Sequence, residues 1–129
     1  MSSIKVAPLS DDLPFGASVR GVDQEALKDE EVREELRRVF DERGVVVFRG
    51  TDGSSETHLA LSEVFGRLQH HALTQDKSGE PEVVNLQQKQ DVVEVDGQLL
   101  AAFLPWHFDA CYTAKLNRAA VLRPVEIPP

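Results

Sequence analysis

The chain contains a single cysteine, Cys111, so no internal disulfide can form. That suits a reducing compartment, and a cytoplasmic location is expected. Cations are scarce as well. Fourteen Lys and Arg stand against 22 Asp and Glu, for a net charge of −8. No basic cluster interrupts this balance, which argues against nucleic acid and against anionic membrane surfaces as partners. No apolar run approaches the roughly 20 residues that span a bilayer. The opening Met1-Ser2-Ser3-Ile4-Lys5 lacks the apolar block of a signal peptide. Internal repeats, low-complexity blocks and linkers are not seen, so a single domain over residues 1–129 is expected.

What the chain does have is 129 residues, 41% of them hydrophobic and 28% charged. That is enough for one modest soluble domain with a core. Ile4 to Leu9 alternates briefly and meets Pro8, which predicts a short edge strand. Residues 14–23 read as a turn and a second short strand. Asp29 is placed to cap a helix whose Val32, Leu36, Val39 and Phe40 share one face, and Gly44 ends it. Val45-Val46-Val47-Phe48 is a continuous apolar run, short enough for a buried strand. Ser54 or Ser55 can cap a second helix with Leu61, Val64, Phe65 and Leu68 on its apolar side, and Gly66 weakens its last turn. Val83 to Leu86 reads as a strand. Asp96-Gly97 between two β-rich runs is the strongest hairpin signal in the chain. Arg118 to Arg123 reads as a further strand, stopped by Pro124. Helices are early and strands late, which predicts a mixed α+β fold.

The chemistry concentrates in Leu104-Pro105-Trp106-His107-Phe108-Asp109-Ala110. On an extended strand His107 and Asp109 point to one face, while Trp106 and Phe108 point to the other and can anchor the strand. Imidazole and carboxylate on one face supply two members of the 2-His-1-carboxylate facial triad that holds non-haem Fe(II). The same pair also suits an ordinary hydrogen bond between neighbours. Cys111, two residues on, is a conceivable thiolate ligand or a small buried hydrophobe. His58 sits on the flank of the second helix and is expected at the surface; His70 is expected to be solvated. Arg118 and Arg123 read as surface or strand-edge charges.

Taken in order, the pieces resemble the N-terminal half of the taurine dioxygenase and phenoxyacetate dioxygenase family (TauD/TfdA). The resemblance spans most of residues 6–129. It rests on Phe15-Gly16-Ala17 leading to Gly21-Val22-Asp23, then Arg43-Gly44-Val45-Val46-Val47-Phe48-Arg49, then Leu61 to Leu68 with Phe65-Gly66. Trp106-His107-Phe108-Asp109 and the Leu122-to-Pro129 segment with its double proline complete the set. The resemblance implies a double-stranded β-helix, or jelly roll, flanked by N-terminal helices and incomplete at the C-terminus. It implies an Fe(II)- and 2-oxoglutarate-dependent oxygenase acting on a small, usually anionic, substrate. His107 and Asp109 match the first two iron ligands. His71 and Tyr112 match residues lining the substrate pocket, although His71 can equally follow its helix at the surface and Tyr112 can equally be core.

The resemblance also implies residues that are missing here. A second iron-binding histidine and an arginine for 2-oxoglutarate lie far downstream in the family, beyond a Gly-Gly-Asp-Thr stretch that follows the double proline. The expectation is either a piece of a longer dioxygenase or a non-catalytic remnant that acts through association with another chain. A rearranged site taking His70 or His71 as third ligand is the weaker option, since ligands belong on rigid elements. Half a jelly roll leaves strand edges unpaired and apolar surface uncovered, so oligomerisation, as a homo-oligomer, or partial disorder is expected. Thr74 and Phe103 stand where taurine enzymes carry tyrosine and asparagine. Phe103, assigned to the substrate pocket, suits an aromatic or alkyl substrate better than taurine.

Overall fold

A computed structural model describes residues 4–69, 92–101, 107–109, 114 and 116–125. The chain divides into two units, residues 1–68 with 119–129, and residues 69–118. In the first unit, β1 (Lys5–Pro8), β2 (Ala17–Arg20) and β3 (Val46–Arg49) form a sheet in the order β1-β2-β3. β1 runs antiparallel to β2, so a short loop suffices between them. β3 runs parallel to β2, which demands a crossover. That crossover is a 3-10 turn at Ala26–Lys28 followed by α1 (Glu30–Arg43).

The ends of α1 follow the local chemistry read from the sequence. Asp29 adopts an extended conformation and its Oδ1 accepts the Glu31 amide at 2.9 Å. Glu30 and Glu31 in the first turn and Arg43 in the last complement the helix dipole. Gly44 closes the helix in the left-handed region at φ 73°, and its amide donates to the Phe40 carbonyl at 2.8 Å. Val32, Leu36 and Val39 are buried at one-turn spacing. They meet Ala17 and Val19 of β2, Val22, Leu27, and Leu61, Val64 and Phe65 from the second helix. Phe40 and Phe65 pack edge to face with centroids 5.2 Å apart.

The second helix, α2 (Ser55–Val64), starts at Ser54, whose hydroxyl accepts the Thr57 amide at 3.1 Å. Asp52 braces this start: its Oδ1 accepts the Ser54 amide at 2.9 Å and the Ser54 hydroxyl, and its Oδ2 accepts the Thr57 hydroxyl at 2.8 Å. The last turn of α2 is tied by arginines of α1. Arg33 donates to the Glu63 carbonyl at 3.0 Å and Arg37 to the Val64 carbonyl at 3.2 Å. Guanidinium groups thus satisfy carbonyls that have no partner within the helix.

Those Asp52 contacts, the Ser54 hydroxyl first, then the Ser54 amide and the Thr57 hydroxyl, hold its carboxyl below the usual range. A depressed carboxylate contributes stability that is present above its unfolded value, near 3.8, and is lost as the pH falls through the folded value. Asp52→Asn should therefore lower the melting temperature at pH 7. The gap to the parent should close as both are melted at successively lower pH, because a protonated Asp and an Asn carry the same charge. A gap that stays constant to pH 3 would assign the effect to shape and not to charge.

Two sequence expectations change here. Val46, Val47 and Phe48 are only half-buried. β3 lies at the edge of the three-stranded sheet, with the core on one face alone, so the apolar run is not a strand buried on both sides. Residues 118–123 form no strand. They do keep strand periodicity: Ala119 and Val121 pack on the core, while Ala120 and Leu122 face outward. The segment is pinned by side chains instead of a ladder, with Arg123 donating to the Gly53 carbonyl. Helices and strands are both present, as expected, but the jelly roll is not formed by the described residues. No helix among them is long and apolar enough to cross a membrane.

Candidate metal centre

In the second unit, β4 (Val92–Val95) and β5 (Gln98–Ala101) form an antiparallel hairpin. Asp96 at φ 52° and Gly97 at φ 77° both occupy the left-handed region. Two such residues make the turn whose twist matches the flanking strands, and Asp-Gly is its preferred sequence. His107 and Asp109 follow this hairpin.

His107 Nε2 lies 2.9 Å from Asp109 Oδ1, and the two side chains are 46% and 60% exposed. The i, i+2 spacing therefore does bring imidazole and carboxylate together. Two donors bound to one ion at right angles, each about 2.1 Å from it, stand about 3.0 Å apart. The observed separation fits adjacent positions on one metal. The same distance is a hydrogen bond when no ion intervenes. Among the described residues no group of three His, Cys, Asp or Glu could hold a metal. Among the described residues the pair therefore offers two donors to a candidate site.

The backbone beneath the pair differs from expectation. Residues 107 and 108 have no regular structure and Asp109 sits in a turn, so the described part of the motif is not a strand. Phe108 is 55% exposed, in place of the core anchor expected, and residues 107–109 supply no strand to press its ring onto a sheet face. His71, Phe103 and Tyr112, assigned to the substrate pocket, lie outside the described residues, as do His70, Cys111, Trp106 and the expected strand at 83–86.

His58 is also a correction. It is half-buried on α2, and its Nε2 lies 3.0 Å from the Val121 carbonyl. A carbonyl can only accept, so Nε2 carries the hydrogen. Nδ1 is buried with no hydrogen-bond partner among the described residues. His58 is a clamp on residues 119–123 and not a surface group. Position 58 stands three residues before Leu61 of the apolar side, which was the sign in the sequence that it borders the core, and its neighbour Thr57 is buried.

Comparison with known proteins bears on this geometry. The family model described as taurine catabolism dioxygenase TauD, TfdA family matches residues 5–129. Pentalenolactone F synthase of Streptomyces avermitilis is 29% identical over 120 residues, covering 89% of this chain and 39% of that protein. The α-ketoglutarate-dependent 2,4-dichlorophenoxyacetate dioxygenase of Cupriavidus pinatubonensis is 30% identical over 128 residues, covering 89% of this chain and 44% of that protein. The chain thus spans less than half the length of these relatives. With the match running along nearly its whole length, the chain belongs to the taurine catabolism dioxygenase TauD, TfdA family.

Proposed function

We propose that this chain is the N-terminal portion of an Fe(II)- and 2-oxoglutarate-dependent dioxygenase that oxidises a C–H bond of a small anionic organic substrate. The observation that carries the reading is the His107–Asp109 pair, whose 2.9 Å donor separation suits adjacent ligands of one ion. Fe(II), when bound, supplies the oxygen chemistry, coupled to conversion of 2-oxoglutarate into succinate and CO2. The chain's own residues hold and orient. The His107 imidazole would contribute a nitrogen donor and the Asp109 carboxylate a charged oxygen donor that offsets part of the ion's charge. His71, Phe103 and Tyr112 shape the substrate pocket in this reading, and the remaining metal donor and the arginine for 2-oxoglutarate come from the rest of a jelly roll. The 2,4-dichlorophenoxyacetate relative favours an aromatic acid over a sulfonate, in line with an apolar Phe103.

The test is substrate-dependent succinate formation by a full-length protein carrying this chain. Aryloxy or alkyl carboxylates should support turnover, and taurine should support at least about tenfold less, the discrimination expected when an apolar pocket meets a small zwitterion. Efficient turnover of taurine would refute the substrate assignment while leaving the reaction class intact.

We also infer that the 129-residue chain self-associates when isolated. Leu122, 81% exposed, lies on a segment that keeps strand periodicity without ladder partners, and Val125 just beyond it is 83% exposed. Light scattering should report a dimer or larger species. A monodisperse monomer would count against this.

A further inference from the structure

β2 and β3 leave the sheet in the same way. Arg20-Gly21-Val22-Asp23 follows one and Arg49-Gly50-Thr51-Asp52 the other, so a short Arg-Gly-x-Asp device recurs within a chain that otherwise shows no repeat. Gly21 and Gly50 both turn at positive φ, 81° and 76°. Asp23 Oδ1 then accepts the Ala26 amide at 2.8 Å, and Asp52 accepts the Ser54 amide at 2.9 Å, each starting the helical segment that follows.

The register makes the two arginines neighbours. Arg20 pairs with Arg49 across the parallel β2–β3 ladder, and Lys5 pairs with Arg20 across β1–β2. Residues paired in register share a face and carry Cβ atoms about 5 Å apart. Lys5, Arg20 and Arg49 therefore form a row of three cations across the sheet. Ala17 and Val19 of β2 are buried against the helical side, so Arg20 belongs to the opposite face, and all three cations are exposed. Like charges directly opposite destabilise a sheet. The row stands out in a chain with 22 acidic residues, because none of the three makes a side-chain hydrogen bond or ion pair among the described residues. The nearest acids along the chain, Asp23 and Asp52, are committed to amides of the next helical segment.

We propose that this row binds a small oxyanion carrying at least two negative charges, of the phosphate class. A single carboxylate is satisfied by one guanidinium fork. Phosphate groups present oxygens in several directions and can engage two forks and an ammonium together. Arg20 and Arg49 lie at the carboxyl ends of parallel strands, where ligands of open α/β sheets collect. The net charge of −8 repels extended polyanions and anionic surfaces, which favours a small free ion. The inference does not depend on the iron reading.

Inorganic pyrophosphate is the probe, titrated into the 129-residue chain by calorimetry and followed by thermal unfolding. The expected result is saturable binding and a melting temperature that rises with ligand and weakens with added salt. Arg20→Gln with Arg49→Gln should lower the affinity at least about tenfold. Arg20→Glu is the second variant. It places an acid between Lys5 and Arg49, so it should fold, melt above the parent and lose the response to pyrophosphate. No saturable binding, an unchanged response in either variant, or binding to anionic vesicles without binding to pyrophosphate would overturn the proposal.

Discussion

His107→Ala in a full-length protein carrying this chain should lower 2-oxoglutarate-dependent turnover by at least about 10³-fold, or ~4 kcal/mol of transition-state stabilisation. Loss of one ligand from a three-ligand site removes both the ion's hold and its orientation, which is why so large an effect is expected. Thermal unfolding of the same variant should stay close to the parent, within about 0.5 kcal/mol, since the side chain is 46% exposed. The combination matters. If His107 and Asp109 were only a surface hydrogen-bonded pair, stability would change little and turnover would not change at all. Steady-state kinetics beside a melting curve separates the two readings.

Leu36→Ala should have the largest effect on stability. Leu36 is fully buried at the centre of α1, between Val32 and Val39, in the core that joins α1, α2 and β2. Truncating a buried leucine costs about 2–5 kcal/mol, depending on how far the cavity collapses. Small domains are stable by only about 5–15 kcal/mol, so the variant is expected to be close to unfolding at physiological temperature. Urea denaturation should show a lower midpoint with an unchanged slope. A midpoint within error of the parent would mean that α1 does not pack on the sheet as described.

The sequence was most legible where structure follows from chemistry within a few residues. Asp29 as a cap, Gly44 as a stop and Asp96-Gly97 as a hairpin turn each depend on one backbone conformation and one or two hydrogen bonds. The helical face of Val32, Leu36 and Val39 was legible for the same reason, because the period is local. Residues 118–123 mark the limit. Their inside–outside alternation was visible, but a strand needs a partner's backbone, and their own sequence does not encode one. His58 shows the same limit from another side: its acceptor, the Val121 carbonyl, lies 63 residues away. The cation row was present in the sequence as two Arg-Gly-x-Asp runs, yet only the register of three strands shows that Lys5, Arg20 and Arg49 stand side by side. In the candidate metal site, the i, i+2 spacing was enough to foresee that His107 and Asp109 meet. It could not tell whether they do so on a strand, and they meet beside a turn.

The central claim is that His107 and Asp109 are two ligands of one Fe(II) site. It is tested most directly by anaerobic titration of the full-length protein with Fe(II) in the presence of 2-oxoglutarate, following the visible metal-to-ligand charge-transfer band. The account predicts a saturable band that disappears in His107→Ala and in Asp109→Ala. A band that persists unchanged in both variants, or no band in the parent, would contradict it.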